Sequence, residues 1–94
     1  MRVELQRLQV GNLRVFFTRL GYHPASNGSF ERRLNRGSLF PRFHLYIEER
    51  GDTVAVNLHL DAKAPSYAGT SAHAGEYDGE LVEREVARIV SAVA

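Results

Sequence analysis

The chain has no cysteine. That excludes a disulfide framework, a thiolate zinc finger and a cysteine nucleophile. Lysine is almost missing as well: Lys63 stands alone against eleven arginines. No apolar run approaches the roughly 18 residues that a membrane span needs. Charges run through Met1–Val10, unlike a signal peptide. The expectation is a cytoplasmic protein with no membrane partner. Internal repeats and low-complexity tracts are absent too.

What is present is an ordinary globular composition. The 94 residues are 44% hydrophobic and 24% charged, which suits one domain, 1–94. A chain of this size buries about 60–65% of its unfolded surface, enough for one shallow core. The formal net charge of +1 conceals a division. Residues 1–50 carry nine arginines against four carboxylates, and residues 51–94 carry three cations against seven.

Periodicity places the elements. Asn12 is a good N-cap. Leu13, Phe16, Phe17 and Leu20 follow at helical spacing, and Gly21 is a natural stop. Residues 1–10 read as a weak edge strand or an extended arm, because Val3 and Leu5 alternate while Leu8 and Val10 fall on the other parity. Residues 29–36 read as a short strand. Then Phe43, Leu45 and Ile47 alternate with Arg42, His44, Tyr46 and Glu48. Val54, Val56, Leu58 and Leu60 alternate with Thr53, Ala55, Asn57, His59 and Asp61. Gly51-Asp52 between them fits a two-residue II′ hairpin turn, with glycine first. A last helix starts near Glu80, with Asp78 as its cap and Val82, Val86, Ile89, Val90 and Val93 as its buried stripe. The expected architecture is α+β in two layers. It has a three-stranded antiparallel sheet with two helices on one face, in the order (β)-α-β-β-β-α.

The hairpin turn fixes the register, and the register assembles a polar patch. His44 falls opposite His59, Arg42 opposite Asp61 and Tyr46 opposite Asn57. Directly opposed residues have Cβ atoms about 4.5–5.5 Å apart. Asp61 shares a face with His59. The long segment that follows, 62–79, carries His73 and Glu76. If it folds back, it adds a third imidazole and a second carboxylate. Imidazoles with carboxylates suit zinc or another divalent metal, so His44, His59, Asp61, His73 and Glu76 are the candidate ligands. A plainer reading stands beside it: histidines hydrogen-bonded on a solvated sheet face, with Asp61 held by Arg42.

The basic half suggests a different partner, nucleic acid. Arg14, Arg19, Arg32, Arg33, Arg36 and Arg42 are the candidate phosphate contacts, since a guanidinium fork matches phosphate and stacks on bases. A solvated basic face, or an arginine-for-lysine bias in a GC-rich genome, accounts for the same residues without a ligand. A nucleophilic triad has little behind it, because no Gly-x-Ser-x-Gly surrounds Ser66, Thr70 or Ser71 near His73.

The element order over 12–92 resembles the double-stranded-RNA-binding-domain fold, and within it the HicA-type toxin ribonucleases. The matching residues are Leu20-Gly21-Tyr22, the arginine-bearing strand 29–36, Gly37-Ser38, the hairpin and the final helix. That resemblance implies an RNA-directed activity with a catalytic histidine after Gly-Ser. Here Leu39 follows Ser38, and the nearest histidine further along is His44. The stretches 57–61, 65–67 and 72–79 also resemble segments of small bacterial proteins of no assigned activity. On sequence alone the best reading is a divalent-metal site on the polar sheet face. The alternative is an RNA- or DNA-binding module of HicA-like ribonuclease type. Whether the protein is an enzyme is left open.

Overall fold

The computed structural model describes residues 1–61, 75–76 and 79–93. Nine elements follow in order: β1 (Arg2–Gln6), α1 (Arg7–Val10), α2 (Leu13–Arg19), β2 (His23–Pro24), β3 (Phe30–Arg33), β4 (Arg42–Arg50), β5 (Thr53–Asp61), β6 (Gly75–Glu76) and α3 (Glu80–Ser91).

The class is α+β, but the expected three-stranded sheet with two helices is overturned. Five antiparallel strands run in the order β1-β5-β4-β3-β2, accompanied by three helices, and β6 adds a short pairing to β5. The miscount has a local cause. Val3 and Leu5 alternate in β1, which pairs along β5 from Arg2↔Asn57 to Gln6↔Thr53. At Arg7 the chain turns into a helical turn, so the period changes from two to three or four within ten residues. Val10 then enters the core, while Leu8 is 98% exposed. β2 and β6 have two residues each, too few to show any period.

The central hairpin forms as its alternation dictates. The pairs Phe43↔Leu60, His44↔His59, Leu45↔Leu58, Tyr46↔Asn57 and Ile47↔Val56 are all present. Gly51 has φ 56° and no non-glycine residue among the described residues has positive φ, so the turn needs a left-handed residue only at its first position. That is the II′ requirement; a I′ turn needs two. A one-residue slip would move Phe43, Leu45, Val54, Val56, Leu58 and Leu60 out of the core, so the apolar face pins the register.

The helices supply the second layer of that core. Asn12 caps α2, its Oδ1 accepting the Val15 N–H at 3.0 Å. Phe17 from α2 meets the rings of Phe16, Tyr22 and Phe30 at centroid distances of 5.0, 5.9 and 5.2 Å. Val82 and Ile89 bring α3 onto the same cluster. Gly79, not Asp78, occupies the N-cap position of α3, and no side chain caps it; Asp78 itself lies outside the described residues. Val90, expected in the buried stripe, is exposed. Glu85 is buried in its place.

Candidate functional site

With the apolar side of the sheet covered, the odd-numbered positions of β5 and the even-numbered positions of β4 share the other face. The hairpin register therefore sets His44 and His59 side by side, with ring centroids 5.3 Å apart. Tyr46 stacks on both, 4.6 Å from His44 and 5.5 Å from His59. The Asp61 carboxylate lies between the two imidazoles. Its Oδ2 is 3.4 Å from His44 Nδ1 and its Oδ1 is 3.3 Å from His59 Nε2. Among the described residues, His44, His59 and Asp61 form a group whose donor atoms all lie within 4.8 Å of one another. Zinc ligands at about 2.0–2.1 Å from the metal sit about 3.3 Å apart at a tetrahedral angle, and each histidine nitrogen lies at about that distance from one Asp61 oxygen, a different oxygen for each ring.

The two histidines differ in setting. His44 is only 8% exposed. Its Nε2 lies 2.9 Å from Ser29 Oγ. The Ser29 hydroxyl has one hydrogen, and its other partner is Asn27 Oδ1 at 2.5 Å. The Ser29 backbone N–H also donates to that Oδ1, at 3.2 Å, which identifies the atom as the oxygen of the amide. The hydroxyl hydrogen therefore goes to Asn27, and Ser29 Oγ accepts from His44 Nε2–H. The other ring nitrogen, His44 Nδ1, faces the Asp61 carboxylate at 3.4 Å. Either a second imidazole proton or a metal cation between the two satisfies that contact. For His59, burial pushes the pKa below the ordinary imidazole value. The Asp61 carboxylate pulls the other way, while the N-terminal ammonium and Arg42 push with burial. His59 is thus held neutral, the form that ligates metal.

Arg42 limits the site. Its Nε lies 3.3 Å from Asp61 Oδ2 and its Nη1 lies 3.2 Å from Glu31 Oε1. The guanidinium also stands over Phe40, 4.5 Å from the ring centroid. The expected Arg42–Asp61 pair is therefore real, and it competes for one oxygen of Asp61 while the other faces His59.

Of the remaining expected ligands, His73 lies outside the described residues. Glu76 is described only by its backbone, which the register sets opposite Leu60, with Gly75 opposite Asp61. The chain does return to the edge of β5 beside the site.

Sequence reasoning missed Ser29. Ser29, His44 and Asp61 have the connectivity of a nucleophilic triad, yet Ser29 is 1% exposed and its hydroxyl hydrogen is committed to Asn27. No substrate carbonyl can reach Oγ there, so Ser29 orients His44. The signal was in the chain: Asn27 and Ser29, two apart, make a local side-chain-to-backbone turn.

The six candidate phosphate-binding arginines do not form one patch. Arg32 points to the α3 side, 3.6 Å from Glu85 and over the Phe43 ring. Arg42 is held by Glu31 and Asp61. Arg14, Arg19, Arg33 and Arg36 are exposed and make no ion pair with a described carboxylate.

Comparison with known proteins adds no relative. No family model, no curated protein and no solved structure matches the chain. Among the described residues, no helix is long and apolar enough to cross a membrane.

Proposed function

We propose that the protein binds a divalent metal ion, most simply zinc, through His44, His59 and Asp61. The observation that carries this reading is the hydrogen-bond chain Asn27–Ser29–His44. It aims His44 Nδ1 at one oxygen of the Asp61 carboxylate, with His59 Nε2 on the other oxygen. Two imidazoles and one carboxylate leave at least one coordination position for water or a substrate atom, the pattern of reactive rather than purely structural sites. A metal held there supplies Lewis-acid polarisation of whatever oxygen occupies the open position. Ser29 takes the orienting role that outer hydrogen-bond partners play for metal-ligating histidines. Stacked on both imidazoles, Tyr46 narrows the approach to them.

Elemental analysis, joined to zinc and manganese titrations read by melting temperature, tests the reading. A ligand that binds only the folded state raises stability. Absence of co-purifying metal together with an unmoved melting temperature would contradict it, and His44 would then be read as an imidazolium paired with Asp61.

A further inference from the structure

The pairing of the arginines singles out a second site. Among the described residues, Arg2, Arg7, Arg32, Arg42, Arg50, Arg84 and Arg88 each lie against a carboxylate. Arg14, Arg19, Arg33 and Arg36 do not. Of these, Arg33 and Arg36 together line one cleft of about 530 Å³ with Gly21, His23, Leu34, Asn35 and Gly37, and both are exposed. No acidic residue is in that lining. The volume falls in the range of small-molecule sites, about 300–1,000 Å³.

The local structure explains why the cleft is open. β3 ends at Arg33 and the chain loops out until Pro41, whose carbonyl accepts the Leu34 N–H at 3.1 Å. Gly37 has φ 75°, a left-handed conformation that lets the loop turn without a side chain, and a Cβ placed there would meet nothing within 4 Å. His23 arrives from the neighbouring strand β2, opposite Glu31. Two guanidinium forks, an imidazole and a carboxamide thus surround a space with no counter-charge. Such donors match a phosphate, which accepts paired N–H bonds from arginine. Leu34 offers an apolar surface for an organic group beside it.

We propose that this cleft binds a small phosphate-bearing molecule, an organic phosphate or pyrophosphate, through Arg33 and Arg36 with His23 and Asn35. A polymer is the poorer occupant. Arg33 is paired in the sheet with Arg42, and Arg32 precedes it in the chain, yet both neighbours are already neutralised by carboxylates. Along β3 and β4 the positive surface therefore stops at the cleft, and Arg14 and Arg19, the other arginines without a described carboxylate, lie on α2 and do not line it. The inference is independent of the metal reading, because it uses none of His44, His59 and Asp61.

The test is amide-resolved NMR titration of the full chain in chelator-treated, low-salt buffer, using pyrophosphate, a nucleoside diphosphate and a short single-stranded RNA as probes. Pyrophosphate and the diphosphate should give saturable shifts centred on Arg33 to Gly37 and His23. An Arg33→Gln/Arg36→Gln variant should weaken that binding by about tenfold or more, as loss of charge-assisted pairs does. Its melting temperature should be unchanged, because both side chains are exposed. Absence of saturable shifts, shifts centred elsewhere, or undiminished binding in the variant would overturn the proposal. So would RNA binding that exceeds the diphosphate and falls steeply with salt, which would mark a nucleic-acid surface instead.

Discussion

Asp61 is where the competing demands of the proposed metal site meet. It accepts from Arg42, faces His44 Nδ1 and neighbours His59 Nε2. Each contact predicts a different outcome. Replacing Arg42 with methionine removes a cation next to the ion and should tighten zinc binding, on the order of tenfold in dissociation constant; calorimetric titration reads this directly. Replacing Ser29 with alanine frees the His44 ring to turn over. Loss of an orienting partner typically costs about 10- to 100-fold in metal affinity, and the same titration measures it. Both variants keep all three ligands, so an unchanged affinity in the pair would place the metal elsewhere. The ligand pair His44 and His59 could be read from the sequence because one two-residue turn fixes nine cross-strand partners. Ser29 could not, because it lies in a turn before β3, where no periodicity reports which side chains meet.

At the level of elements, the contact between α3 and the start of β2 shows a second feature that periodicity hides. Glu85 lies on the buried side of α3, 4% exposed. Tyr22 Oη donates to its Oε2 at 2.5 Å, and Arg88 Nε and Nη2 donate to Oε1 and Oε2, each at 2.8 Å. Arg88 Nη2 also donates to the Leu20 carbonyl, at 2.7 Å, tying the helix to the C-terminal end of α2. Burial alone would raise the Glu85 pKa, but the hydrogen bonds from Arg88 and Tyr22 and the charge of Arg32 outweigh it, and the pKa is lowered. The same burial and the Glu85 charge push the Tyr22 phenol upward. The sign for stability follows. A carboxylate with a depressed folded pKa stabilises the fold above its unfolded value of 4.5, and that stability is lost as pH falls through the folded value. Glu85→Ala should cost about 3 kcal/mol at neutral pH, since it strands buried partners. It should also flatten the acid limb of denaturant-midpoint stability below the unfolded carboxyl pKa. Tyr22→Phe should cost about 1–2 kcal/mol, the size of one hydrogen bond to a charged acceptor. The α3 pattern in sequence picked out the apolar stripe Val82, Val86, Ile89, Val90 and Val93. It could not show that Glu85 faces Tyr22 and Arg32 from elsewhere in the fold, with Arg88 one turn along the same helix.

Across the whole molecule, the charge division of the sequence is partly stitched together by folding. Arg32 and Arg42 of the basic half pair with Glu85 and Asp61 of the acidic half. The arginine excess therefore shrinks to Arg14, Arg19, Arg33 and Arg36 as cations without a described carboxylate. The sheet was under-counted because its outer strands are the short ones: β2 and β6 have two residues each, and β1 ends as its alternation breaks at Arg7. The central hairpin and both long helices were legible because each has an uninterrupted period. The grouping of His44, His59 and Asp61 depends on the hairpin, so that grouping was legible to the same extent.

The most direct test of the account is zinc titration of the chelator-stripped full chain, followed by melting temperature, in wild type and in His59→Ala. At free zinc about a hundredfold above the dissociation constant, the wild type should gain about 2.7 kcal/mol. For a domain of this size that is a rise of roughly 10–20 °C, and the gain should be abolished in His59→Ala. A wild type that does not respond, or a variant that responds equally, would contradict the assignment of His44, His59 and Asp61 as a metal site.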